Sequence, residues 1–212
     1  VCPFATLEGA CNAVIQAIQL GVGAARMEIV DETTVQAVNV HSKLALEEKP
    51  TLFLEFHGTE VQARDQVEMF RQIAEAEGAI RFDWADKEED RRRLWKARHE
   101  FYWAVKTTWP GREALATDVC VPISRLAQCL LETQADIKSL GLIAPIAGHA
   151  GDGNFHTQPM VDRANAKEMA ALDTFLDRLT KRAIAMEGTC TGEHGVGQGK
   201  AKYLKAELGE GL

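Results

Sequence analysis

The stretch His149-Ala150-Gly151-Asp152-Gly153-Asn154-Phe155-His156 lies between two apolar runs, Leu142–Gly148 and Phe155–Met160. Asp-Gly between β-formers is favoured chemistry for a two-residue type I′ hairpin turn, whose central positions both need positive φ. With Asp152-Gly153 as the turn, Gly151 faces Asn154, Ala150 faces Phe155, and His149 lies directly opposite His156. Directly paired residues on antiparallel strands project to one face, with Cβ atoms roughly 4.5–5.5 Å apart. Two imidazoles held in this way can ligate one metal ion, and a third donor is then required. A second glycine-rich segment, Gly192-Glu193-His194-Gly195-Val196-Gly197, offers Glu193 as that donor and leaves His194 beside it as a base.

Outward from this ribbon, short apolar strands alternate with amphipathic helices. Met27–Val30 reads as a strand, 33–46 as a helix, and Thr51–Phe56 as a strand. Thr59 and Gln62 form a capping box for a helix reaching Glu77, closed by Gly78. Ile80–Trp84 is expected to be a further strand, completing a ferredoxin-like β-α-β unit. The pattern recurs with 114–121 as strand, 124–140 as helix, 142–149 as strand, and 154–160 returning by hairpin. From about Ala164, the residues Met169, Leu172, Leu176, Leu179, Ala183 and Met186 step by three and four along one buried helix face. The fold class expected is α+β, a mainly antiparallel sheet with helices on one face, the other face being free to meet another domain.

Asp86–Arg93, with acids leading and bases following, suits a solvated helix start. Along that helix Leu94, Trp95, Phe101, Tyr102 and Val105 form an apolar stripe that includes Arg98. An arginine on an inward face needs an anion. A substrate carboxylate and an internal salt bridge both satisfy that need, and the sequence leaves the two open.

The 212 residues, 46% apolar, suffice for one domain or one large lobe. A net charge of −7 without a basic stripe argues against nucleic acid as a partner. The five cysteines form no CxxC pair and no regular framework, which suits a reducing compartment. The chain opens at Val1 directly before a helical pattern and closes after another, so it is expected to be part of a longer protein.

Rival readings of the glycine segments are weaker. In a GxxxxGK loop ending at Lys200 the first glycine position holds His194, and Ala201 stands where Ser or Thr is required. Lys200 also occupies the last glycine position of a GxGxxG frame. Cys190 has no assigned base and is read as a small buried filler, and Asp152 as a turn residue. A His2Glu set suits Zn²⁺ and also Mn²⁺, Co²⁺ or Fe²⁺, with open positions for substrate. Hydrolysis and alcohol oxidation both follow from it, and spacing does not separate them.

His149–His156 and Thr191–Gly197, with Thr117-Asp118-Val119-Cys120-Val121-Pro122-Ile123-Ser124-Arg125-Leu126, closely resemble the C-terminal, substrate-binding domain of FAD-linked D-2-hydroxyacid dehydrogenases. That group includes cytochrome-type D-lactate dehydrogenases, glycolate oxidase flavin subunits and D-2-hydroxyglutarate dehydrogenases. The resemblance implies that residues 1–212 form the cap domain of a vanillyl-alcohol-oxidase-type flavoenzyme, with an FAD-binding domain preceding Val1 and a short segment following Leu212. It implies metal ligation by His149, His156 and Glu193, with Zn or Mn favoured, and proton abstraction by His194. It also implies a substrate grip by Arg98, with Tyr102 and Asn154 beside the substrate, and Asn154 and Gly195 near the flavin. Ala116 stands where the hydroxyglutarate enzyme has a lysine for a second carboxylate, and Tyr102 where it has a threonine. D-lactate is therefore the favoured substrate, with glycolate or another D-2-hydroxy acid as the alternative. The expected partners are this small acid and an electron acceptor left unidentified, and a homo-oligomer is compatible. The expected setting is cytoplasmic, with peripheral membrane association allowed, or mitochondrial in a eukaryote.

Overall fold

The computed structural model describes residues 1–85 and 87–210; Asp86, at the start of the expected charged helix, lies outside them. The chain begins with β1 (Cys2–Pro3), α1 (Leu7–Gln19), β2 (Ala24–Val30), α2 (Glu32–Ser42), β3 (Thr51–Phe56) and α3 (Glu60–Ala76). It continues through α4 (Glu88–His99), α5 (Phe101–Thr108), β4 (Glu113–Ala114), β5 (Val119–Cys120) and α6 (Leu126–Leu140). The last elements are β6 (Ile146–His149), β7 (Asn154–Thr157), β8 (Met160–Val161), α7 (Ala166–Ala185) and α8 (Leu204–Leu208). Six strands form one sheet in the order β1-β3-β2-β6-β7-β5, and β4 pairs with β8 in a separate ribbon. Every pairing is antiparallel.

Alternation along the strands divides the sheet into two chemically distinct faces. Met27, Ile29, Leu52, Val119, Ile146 and Phe155 point into a core closed by α1, α3, α6 and α7. Helix α7 contributes Phe175, Leu179 and Ala183 at helical spacing. Each of the larger side chains (Met, Ile, Leu, Val, Phe) adds about 1.5–3 kcal/mol on burial, and an alanine methyl less. The opposite face is partly covered as well. Val30, Phe53 and Ala147 lie under Val35 of α2, Leu94 and Trp95 of α4, and Phe101 of α5. The rest of that face carries polar residues. No helix among the described residues is long and apolar enough to cross a membrane.

Local signals set several boundaries. The capping box at Thr59 and Gln62 is present at the start of α3, and Asn165 caps α7 through the backbone N–H groups of Lys167 and Glu168. Other boundaries differ from expectation. The strand expected from Leu142 begins only at Ile146, after Pro145, which has no N–H to give a ladder. The strand expected over 114–121 is two short pieces, one pairing with β8 and one with β7. Ile80–Trp84 is not a regular strand. It follows β1 irregularly, the N–H groups of Ile80 and Asp83 donating to the Pro3 and Val1 carbonyls. The expected charged helix breaks at Glu100 into α4 and α5.

The hairpin itself is corrected. His149 pairs with Asn154, and His156 with Ala147. A 3-10 turn over Ala150–Asp152, closed by Gly153 at φ 73°, replaces the two-residue turn. Ala150 is fully buried in the core beside α1, and the Gly153 carbonyl accepts from Val121 N at 3.0 Å, so tertiary contacts lengthen the connection. The register moves by two residues, which keeps both imidazoles on one face.

Gly153 carries this turn, because a Cβ there would lie 2.0 Å from the Val121 carbonyl oxygen at a left-handed φ. Gly153→Ala is expected to cost at least about 1–2 kcal/mol, read as a lowered urea midpoint; an unchanged midpoint would show that the turn relaxes freely.

Candidate metal and substrate site

The polar face is assembled by strand order. Glu28 of β2 lies opposite His149 of β6. On the other side of the hairpin, β5 runs antiparallel to β7 with Val119 opposite Phe155, which puts Asp118 beside His156. Each histidine thus has a buried carboxylate next to it, Glu28 being 8% and Asp118 1% exposed.

A carboxylate sets one imidazole tautomer and a backbone carbonyl the other. His149 Nδ1 lies 2.8 Å from Glu28 Oε1. Burial alone would raise the Glu28 pKa, but the His149 hydrogen bond and the Arg98 charge outweigh it and hold Glu28 below its usual range. An ionised carboxylate only accepts, so His149 Nδ1 is the donor and Nε2 is left as a lone pair when the ring is neutral. His156 Nδ1 donates to the Thr117 carbonyl at 3.2 Å, which frees its Nε2 in the same way. Burial, then the nearby His194, lowers the His156 pKa and favours the neutral ring.

Both free nitrogens turn toward Glu193. His149 Nε2 lies 3.3 Å and His156 Nε2 3.1 Å from Glu193 Oε1. One atom from each of the three residues lies within 4.8 Å of the other two. Electron-rich atoms at such separations repel unless a cation or proton lies between them. Ligands about 2.1 Å from a tetrahedral ion are about 3.4 Å apart, so the two histidine–glutamate distances suit a shared divalent metal. His194 stacks on His156 with ring centroids 4.8 Å apart and planes at 11°. Its Nε2 is 3.8 Å from Glu193 Oε1. Asp118, His156 and His194 form a second close group of possible ligands.

The remaining expected residues divide. Arg98 has an internal partner, Nη2 donating to Glu28 Oε2 at 2.7 Å, and its buried Nε has no partner among the described residues. Tyr102, beyond the helix break, is 40% exposed and packs edge-on against Trp103. No hydrogen bond or ion pair among the described residues joins its side chain to the cluster. The Asn154 amide is buried; its Nδ2 donates to Asp118 Oδ1 at 2.8 Å and the Val119 carbonyl at 3.0 Å, while its Oδ1 has no partner among the described residues. Gly195 and Ala116 are exposed. Cys190 is buried, and burial chiefly pushes its thiol up to about 11, as suits a filler.

Sequence reasoning missed Glu28 and gave Asp118 no role. Their signal was a single acid inside an apolar strand, Met27-Glu28-Ile29-Val30 and Thr117-Asp118-Val119. Lys200 was also missed; its Nζ donates to the Asp118 carbonyl at 2.6 Å.

The family described as FAD linked oxidases, C-terminal domain, matches residues 1–212. The chain belongs to this family. It is 46% identical over 209 residues to a probable mitochondrial D-lactate dehydrogenase of Danio rerio, covering 99% of this chain and 42% of the relative. It is 40% identical to a mitochondrial D-lactate dehydrogenase (cytochrome) of Arabidopsis thaliana, covering 99% of this chain and 37% of that protein. The chain thus spans less than half the length of these relatives. Among solved structures, 4-ethylphenol oxidase from Gulosibacter chungangensis in its isoeugenol complex matches with a TM-score of 0.61 at 18% identity, covering 88% of this chain and 44% of that one. The expected antiparallel α+β fold is borne out, and the chain shares it with this oxidase.

The His149–Glu28 pair makes metal-free stability depend on pH. The Glu28 hydrogen bond raises the His149 pKa above 6.5. That contribution is full below 6.5 and is lost as pH rises through the raised value. The lowered Glu28 contributes above 4.5 and loses its contribution as pH falls through its folded value. In Glu28→Gln, the His149 titration followed by NMR in metal-free protein is expected to move down; an unmoved titration would remove Glu28 as its cause.

Proposed function

We propose that this chain is the substrate- and metal-binding part of an FAD-dependent dehydrogenase that oxidises a D-2-hydroxy acid, D-lactate first, to the 2-oxo acid. The observation that carries the reading is the convergence of His149 Nε2 and His156 Nε2 on Glu193 Oε1, with His194 stacked alongside. Family membership and the D-lactate dehydrogenase relatives support it.

His149, His156 and Glu193 would hold a divalent metal, Zn or Mn, which when bound supplies Lewis acidity to an alcohol oxygen. FAD, held mainly by a domain outside this chain, supplies the hydride acceptor. Arg98 receives the substrate carboxylate on guanidinium nitrogens not committed to Glu28, and so orients C2. His194 Nε2, the ring nitrogen nearest Glu193 Oε1, takes the C2 hydroxyl proton as the hydride leaves. Glu28 holds the Arg98 guanidinium and, by accepting from His149 Nδ1, orients that ring so that the Nε2 lone pair of its neutral form faces the ion. Ala116 brings no cation for a second carboxylate, which favours a monoacid. Gly195, exposed beside the base, leaves room for the flavin ring. The electron acceptor is a separate partner, and the proposed setting is mitochondrial in a eukaryote and cytoplasmic otherwise.

The test is anaerobic single-turnover bleaching of the flavin by D-lactate in the complete enzyme. His194→Gln is expected to retain flavin and slow bleaching by about 10²–10⁴-fold; an unchanged rate removes His194 as the base. Removing metal with a chelator is expected to abolish bleaching, and adding Zn²⁺ or Mn²⁺ to restore it. Full activity in demonstrably metal-free enzyme would sink the ligand assignment.

A further inference from the structure

Asp118 spends its carboxylate on the segment that carries the third ligand and the base. Its Oδ2 accepts from Thr191 Oγ1 at 2.9 Å, from the backbone N–H of Glu193 at 2.9 Å, and from that of His194 at 2.8 Å. Its Oδ1 accepts from Asn154 Nδ2 at 2.8 Å. Its backbone carbonyl accepts from Lys200 Nζ at 2.6 Å, which ties down the far end of the same glycine-rich segment. Four donors on one buried carboxylate, with an ammonium 3.9 Å from Oδ2, compensate its desolvation.

The two flanking carboxylates therefore do different work. Glu28 acts directly on an imidazole. Asp118 is 3.6 Å from His156 Nδ1 and directs its bonds to the main chain of Glu193 and His194. Gly192 is the contact between this segment and the sheet. A Cβ there would lie 1.8 Å from Asn154 Nδ2 and 2.8 Å from Asp118 Oδ1. The segment can approach Asp118 this closely only with glycine at that position.

We propose that Asp118 is a positioning residue for the reaction: its carboxylate anchors the backbone of Glu193 and His194, and so sets both side chains against the paired imidazoles of the hairpin. This rests on the metal and base roles given above. Asn at this position keeps the volume but turns one acceptor oxygen into an amide that faces N–H donors. The ligand and the base should then lose their alignment together, although neither has been altered.

The test compares wild type, Asp118→Asn and Gly192→Ala in the complete, flavin-loaded enzyme. Metal-stripped protein is titrated with Co²⁺ and followed by visible absorption, which reports the ligand environment independently of turnover. Flavin content, thermal melting, and the limiting rate of flavin reduction at saturating D-lactate are measured on the same samples. Both variants are expected to keep flavin and a cooperative melt, to bind Co²⁺ about 10–100-fold more weakly with an altered spectrum, and to lose a similar factor in limiting rate. Wild-type Co²⁺ affinity and limiting rate in Asp118→Asn would overturn the proposal. Should that variant fail to fold, Gly192→Ala decides, since the same paired loss is expected there and wild-type values would overturn the proposal. A wild-type enzyme that binds no Co²⁺ fails the metal reading itself and takes this one with it. Metal bound normally by wild type and variant alike sinks the role of Asp118 alone.

Discussion

Burying a carboxylate costs several kcal/mol unless hydrogen bonds and counter-charges replace its hydration. This cost organises the polar face of the sheet. Glu28 meets it with His149 and Arg98, and Asp118 meets it with two backbone amides, a hydroxyl and an asparagine amide. In each case the groups that stabilise the carboxylate belong to the site or carry it. The geometry is thereby set before any ligand arrives, which is where preorganised sites gain much of their effect.

The rest of the architecture supports that arrangement. Core packing of α1, α3, α6 and α7 holds β2, β6, β7 and β5 in sequence, and their order brings each acid beside its histidine. The covering of the second face by α2, α4 and α5 delivers Arg98 to Glu28 from above. The imidazoles sit on strands, while Glu193 and His194 sit on an irregular segment. Two of the three proposed ligands are thus held by a rigid ladder, and the third by contacts to it.

How much of this can be read from the chain depends on whether the cause is local. The Thr59–Gln62 capping box and the three-and-four spacing of α7 are local, and the helices follow them. That His149 and His156 share a face was legible from alternation alone. The turn between them was not, because burial of Ala150 and the bond from Val121 to Gly153 are long-range. The importance of Glu28 depends on a strand neighbour 121 residues away, and that of Asp118 on a segment more than 70 residues later. No local pattern announces such strand order. Arg98 was recognisable as needing an anion, but its partner emerged only when β2 came to lie under α4. The break at Glu100, which separates Tyr102 from the stripe assumed for it, has no proline or glycine to signal it.

The four residues linking β6 and β7 carry an evolutionary consequence. The ladder fixes which face each imidazole takes, so a residue added beside the exposed Asp152 would loop out and leave both histidines where they are. A single residue added inside β7, between Asn154 and His156, would instead carry His156 through the sheet toward the apolar core. Descendants of this chain should therefore vary in length in the link sooner than within the strands that flank it.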